Sequence, residues 1–257
     1  MRTGRVEMVL RLRSRYYRTI PIDRPGPEFE DLELNEDRTA LVVMHCWNIG
    51  CPDGPDIEND YWVGMGFPEV HREAEAIMKD RIRPAMDAAR EIGMAVCHVE
   101  SQTIERNRSR RGKEPAEDRE PWGWRERMAW RYHGRDYEHR SPLIDMDRAK
   151  AVAPLQGEPF VYRTADLVNH LKERGIENLI YSGFATDMCI LRAPGGIEDT
   201  AGLDYRVFLI RDATLGVEFP DTLTERLSTG WAIRFFESHF GDTITTEEFI
   251  EACRSAR

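Results

Sequence analysis

From Arg38 onward, short apolar runs alternate with segments whose apolar positions recur at helical spacing. Ala40-Leu-Val-Val-Met44 is an unbroken apolar run of strand length, which predicts a strand buried on both faces. Glu69 to Ile92 then reads as a helix ending at Gly93, with Pro84 kinking or delimiting it, and leads into a second strand, Met94 to Val99. After a gap the alternation resumes. Pro159-Phe-Val-Tyr162 reads as a strand, Ala165 to Arg174 as a helix closed by Gly175, Asn178 to Ser182 as a strand, and a helix follows from about Asp187. Arg206 to Ile210 is a further strand, with Asp212-Ala-Thr214 at its end, and Thr222 to Phe240 a further helix. Thr245-Thr-Glu-Glu248 has the form of an N-capped helix start. Strands alternating with helices predict an α/β fold: three layers, α/β/α, around a central, mostly parallel sheet.

Between Ser101 and Lys150 the periodicity gives way to charge and aromatics, which predicts a long insertion or lid over about 101–150. Its Trp122, Trp124 and Trp130 either cover a pocket or pin the excursion to the domain. Residues 1–37 read as an N-terminal extension and 38–257 as the domain proper. The 257 residues, 41% apolar and 32% charged, describe a globular chain with enough to bury. Acidic residues outnumber basic ones by 46 to 36, so neither nucleic acid nor an anionic membrane surface is an expected partner. No apolar run has the length of a signal peptide or a membrane span, and the expected location is cytoplasmic. Five widely spaced cysteines without paired C-x-x-C ligands argue against a disulfide framework or a structural zinc site, and at least one thiol is available for chemistry. The Gly195-Gly196 pair lacks the spacing of a phosphate loop and is expected to interrupt a helix.

The candidate chemistry centres on Cys189, which follows a buried strand and falls on the first turn of the next helix. Free amides and the helix dipole there favour an anion, so the thiol pKa is expected to fall. The amides of Ala185 and Cys189 are placed to receive a developing oxyanion. Spacing alone favours an inert, buried cysteine over a nucleophile.

Gly183-Phe-Ala-Thr-Asp-Met-Cys189 resembles the G-x-x-T-x-x-C signature of the isochorismatase-like cysteine hydrolases. Arg83 to Gly93, Asp166 to Gly175 and Asp212-Ala-Thr214 resemble further segments of that family, so the likeness runs from Arg38 to about Ile250. The resemblance implies a Rossmann-like parallel sheet with its site at the carboxyl ends of the strands. It also implies hydrolysis of a small molecule, most often at an amide or other C–N bond, by an Asp-Lys-Cys triad. A cis peptide between Phe184 and Ala185 and a homo-oligomer follow from the same likeness, and no cofactor is expected. Enol-ether hydrolysis of the isochorismate type is a further activity it admits.

Two triad positions depart from the pattern. Where the family has A-L-L-V-I-D-M-Q-N, this chain reads Ala40-Leu-Val-Val-Met-His-Cys-Trp-Asn48, so His45 takes the aspartate's place, with Trp47 and Asn48 beside it as possible support or substrate contacts. Gly157-Glu-Pro-Phe-Val-Tyr-Arg163 puts Arg163 in the lysine's place. Histidine can accept the cysteine's proton, arginine can serve only as a fixed cation, and Glu100 could orient the imidazole. Phe184 is expected to line the same site. Nicotinamidase relatives hold a metal through an Asp-x-His phrase, but Glu100-Ser-Gln102 offers no imidazole there, and no metal is expected. The alternative function class is a non-catalytic ligand-binding or interaction protein on the same fold.

Overall fold

The computed structural model describes residues 8–57, 65–110, 123–135, 137 and 141–256. Among these the strands are β1 (Val9–Arg18), β2 (Gly26–Asn35), β3 (Thr39–Met44), β4 (Ala95–Val99), β5 (Phe160–Val161), β6 (Asn178–Phe184), β7 (Arg206–Leu215) and β8 (Asp242–Ile244). They form one eight-stranded sheet in the order β2-β1-β8-β7-β6-β3-β4-β5. The pairs from β8 to β5 are parallel, and the β1–β2 hairpin joins antiparallel at the β8 edge.

Each central strand sends alternate side chains to two cores, as the period of an extended chain requires. Leu41 and Val43 of β3 face one core, while Ala40, Val42 and Met44 face the other. Helices α1 (Pro68–Ile77) and α2 (Arg83–Ile92) cover the first face. The path between them, Met78–Ile82, is a π-helical turn just ahead of Pro84. Proline offers no amide to the helical ladder, and a widened turn accommodates the ring without ending the helix. Gly93 closes α2 at φ 83°, a left-handed cap that glycine adopts without a side-chain clash.

Two further helices, α3 (Gln102–Arg110) and α4 (Trp124–His133), lie where the sequence pattern showed no periodicity. Both are highly polar, and only a few positions of α3, Ile104 and Asn107, are buried, too few to give an apolar stripe. The second face is covered by α5 (Thr164–Arg174), α6 (Cys189–Arg192), α7 (Ile197–Ala201) and α8 (Leu227–His239). The helix expected from Asp187 is thus a single turn that begins at Cys189. Ala193 is extended and Gly195 has φ 79°, so the Pro194-Gly-Gly196 segment does interrupt it before α7. The helix expected from Thr222 begins only at Leu227, after Arg226 takes a left-handed backbone.

The last helix, α9 (Thr246–Ser255), has the expected capping box between Thr245 and Glu248, and packs with α2 and β1. The segment read as an N-terminal extension is part of the same sheet. Leu10, Leu12, Leu32 and Leu34 of the hairpin are buried in the core that α2 and α9 share. No helix among the described residues is long and apolar enough to cross a membrane.

Candidate active site

Strands β3, β4 and β6 are neighbours, and their carboxyl ends meet at Met44, Val99 and Gly183. Gly183 has φ 116°, and a Cβ there would lie 1.9 Å from the Met44 carbonyl oxygen. The first glycine of the signature therefore permits the two strands to approach. Beyond it the Phe184–Ala185 peptide is cis, as the family likeness implies. Thr186 fixes the following loop to β7: its hydroxyl lies 2.6 Å from that of Thr214 and its amide donates to Leu215. Asp187 accepts the Val217 amide at 2.9 Å, and the Ala185 carbonyl accepts the amides of Met188 and Ile190. These bonds set Cys189 at the head of α6, half-buried, while the other four thiols are buried.

The Ala185 amide is directed at the Cys189 sulfur and lowers its pKa, but burial and the charges of Glu100 and Asp187 act the other way. The net effect, burial being largest, is a thiol pushed up to about 11. The expectation of a depressed pKa is therefore corrected. One helical turn carries little dipole to oppose desolvation.

His45 directly follows β3 in a left-handed backbone, φ 47°, with its amide bonded to the Val99 carbonyl at 2.9 Å. Its ring is buried beside Trp47, ring centres 5.8 Å apart. Nδ1 has no hydrogen-bond partner among the described residues, and no hydrogen bond joins the ring to Cys189. Burial, then the nearby Arg148 charge, pushes the imidazole down to about 3, so it is neutral at physiological pH.

Glu100 follows β4 and is wholly buried. Its Oε1 accepts the Trp47 indole N–H and the Ser101 amide, both at 2.9 Å. Oε2 lies 3.5 Å from Nε of Arg148 and has no hydrogen-bond partner among the described residues. Burial raises the carboxyl's pKa against the opposing pulls of Arg148, Ser101 and Trp47.

Arg148 is the charged residue that sequence reasoning missed. Its side chain is 4% exposed, and Nη2 lies 3.0 Å from both the Val43 carbonyl and Nδ1 of His98. His98 in turn meets Glu158 at 2.9 Å through Nε2, and Arg90 holds Glu158 through both its oxygens. Burial would raise the Glu158 carboxyl, but the bonds from Arg90, the Leu155 amide and His98 outweigh it and hold it at about 2. Because Arg148 always donates, Nδ1 of His98 is the acceptor and Nε2 carries the proton to Glu158. The ring is accordingly held down to about 4, by burial first and by Arg148 second.

Arg163 precedes α5, half exposed, with its fork closed on Glu105 of α3 at 2.8 and 3.2 Å. Asn48 is buried and its amide is spent on the backbone: Oδ1 accepts Asp147 N at 2.8 Å and Nδ2 donates to Asp53 O at 3.1 Å. It clips the loop after β3 to the segment that carries Arg148. Phe184 is buried in the first core. Trp124 is 69% exposed, and Trp130 lines a small cavity between α3 and α4 with Asn107, Tyr137 and Leu143. Trp122 lies outside the described residues. Among the described residues, no three His, Cys, Asp or Glu side chains converge as a metal site.

Solved structures share this architecture. A cysteine hydrolase from Pseudomonas syringae pv. phaseolicola is 19% identical, with TM-score 0.59 over 87% of this chain and 96% of its own. A putative isochorismatase from Burkholderia xenovorans is 20% identical, with TM-score 0.53 over 85% and 88% of the two chains. At such identities the likeness establishes the fold. The Isochorismatase domain family matches residues 55–248, most of the chain, and the protein belongs to the isochorismatase family.

Proposed function

We propose that the protein is a hydrolase that cleaves an amide or other C–N bond of a small molecule through a covalent intermediate on Cys189. The observation that carries this reading is the setting of the one half-buried thiol: it follows a strand end, opens a helix and receives the Ala185 amide at its sulfur. Membership of the isochorismatase family supports hydrolysis as the reaction class. In the first step the sulfur bonds to the substrate carbonyl carbon, and the carbonyl π electrons move to oxygen. The amides of Ala185 and Cys189 receive that charge. Collapse expels the amine with a proton and leaves a thioester, which water then cleaves to free acid and thiol.

Arg163 shares its charge with Glu105, and His45, buried beside Trp47, is a neutral imidazole. The test is ammonia or amine release from a panel of small primary amides, ureas and N-substituted amides by wild type and Cys189→Ala. The expected result is turnover by wild type alone. Calorimetric binding of a panel member without turnover would instead make the chain a binding protein.

A further inference from the structure

Helices α3 and α4, in the stretch without apolar periodicity, enclose a cavity of about 140 Å³. Ala129, Trp130, Tyr137 and Leu143 give it apolar walls, and Arg106 and Arg135 line it as cations. Among the described residues no acidic side chain lines it. The walls are held in place. Asn107, buried in α3, donates to the Leu143 carbonyl at 2.7 Å, and the Tyr137 ring stacks on His133 with ring centres 4.6 Å apart. The Arg135 guanidinium lies 4.8 Å from the centre of the Trp130 ring, and Nη2 of Arg106 donates to the Thr103 hydroxyl at 3.1 Å. Acidic residues outnumber basic ones by 46 to 36 in the whole chain, yet α4 carries Arg125, Arg127 and Arg131 against Glu126. The local field thus attracts anions that the rest of the surface repels.

Size and charge together define a ligand. A void of roughly this volume accepts one benzene-sized ring. Aromatic walls favour a flat ring, and a planar guanidinium fork pairs with a carboxylate through parallel hydrogen bonds. We propose that the cavity between α3 and α4 is a binding site for a single-ring aromatic carboxylate, the ring against Trp130 and Tyr137 and the carboxylate on Arg106 and Arg135. Tyr137 and Leu143 also pack in the small apolar cluster that contains Trp47 and Ile104, so an occupant borders the loop that follows β3. The site is independent of the chemistry at Cys189, and its test needs no turnover.

Calorimetric titration of the full chain with benzoate, benzyl alcohol and acetate tests both halves of this assignment. Benzoate is expected to bind saturably at one site. Benzyl alcohol, with the ring but no charge, is expected to bind about tenfold or more weakly than benzoate, and acetate, with the charge but no ring, not measurably. Arg106→Gln combined with Arg135→Gln is expected to weaken benzoate by about tenfold, to the level of benzyl alcohol, and to leave benzyl alcohol unchanged. Both side chains are exposed, so the double variant is expected to fold as wild type does. Ala129→Leu fills the cavity with a residue that a helix accepts as readily, and is expected to abolish binding of both ring compounds. Absence of saturable benzoate binding to the wild-type protein would overturn the proposal. So would benzoate affinity that equals that of benzyl alcohol, or that survives the double arginine variant or Ala129→Leu. If Ala129→Leu does not fold, the double arginine variant decides alone.

Discussion

Arg148→Met is the substitution whose consequence the structure sets most narrowly. The arginine side chain is 4% exposed and its partner Glu100 is 0% exposed, so loss of the cation strands a carboxylate out of water. Breaking a buried pair by removing one partner typically costs about 3–5 kcal/mol. The Val43 carbonyl and Nδ1 of His98 also lose their donor, on the order of 1 kcal/mol each. Protonation of Glu100 relieves part of this. Its folded pKa already lies above the ordinary value, and loss of Arg148 raises it further. A carboxyl raised in the folded state contributes stability below its unfolded pKa and loses it as pH rises through the folded one. The deficit of Arg148→Met is therefore expected to be about 3–5 kcal/mol at pH 8 and smaller at pH 6. Urea denaturation followed by tryptophan fluorescence at both pH values measures it. In the Glu100→Gln background the same substitution is expected to cost less, because no charge is left unpaired. A loss below about 1 kcal/mol at pH 8, or one unchanged by pH and by Glu100→Gln, would refute the buried-pair reasoning.

Acid should destabilise the wild-type protein well above the carboxylate range. His45 and His98 are held at about 3 and about 4, so below pH 6.5 the unfolded chain binds protons that the folded one refuses. Stability present above pH 6.5 is expected to fall on the order of 1.4 kcal/mol per pH unit per histidine down to those values, and a flat urea midpoint from pH 7.5 to 4.5 would contradict this. Gly183→Ala places a methyl group 1.9 Å from the Met44 carbonyl oxygen in a backbone that alanine disfavours, and a loss above about 4 kcal/mol is expected; a variant with a near-native melting temperature would show that β3 and β6 can part. Arg163→Gln breaks an exposed pair with Glu105 and is expected to leave both the urea midpoint and Cys189 alkylation unchanged, whereas a clear slowing of alkylation would place its charge at the thiol.

The parallel core was legible because strands buried on both faces are unbroken apolar runs, and Ala40 to Met44 and Asn178 to Ser182 announce themselves locally. Cys189 was legible through the glycine and threonine of its loop, which the structure explains by close approach to Met44 and by the bond to Thr214. The β1–β2 hairpin was passed over although its signal is present. Leu10, Leu12 and Ser14 are buried and Arg11 and Arg13 exposed, a period of two obscured by the density of arginine. The pairing of Arg148 with Glu100 has no local signature at all. The two residues lie 48 positions apart in sequence, one at a strand end and one in an aperiodic segment, and long-range contacts such as the clip made by Asn48 and Asp147 and the bond from Ala149 N to Cys46 O bring them together. A substitution in the lysine's place drew attention to Arg163, but a buried cation can enter such a site from any segment that reaches it.

The claim that Cys189 is the nucleophile is tested most directly by mass spectrometry of the intact protein quenched during reaction with p-nitrophenyl acetate, followed by peptide mapping of the adduct. The account predicts a single acetyl group on Cys189, absent from Cys189→Ala, with Cys46, Cys51, Cys97 and Cys253 unmodified because burial holds each of those thiols near 12. An adduct that persists in Cys189→Ala, or a wild-type protein that is never acetylated, would contradict it.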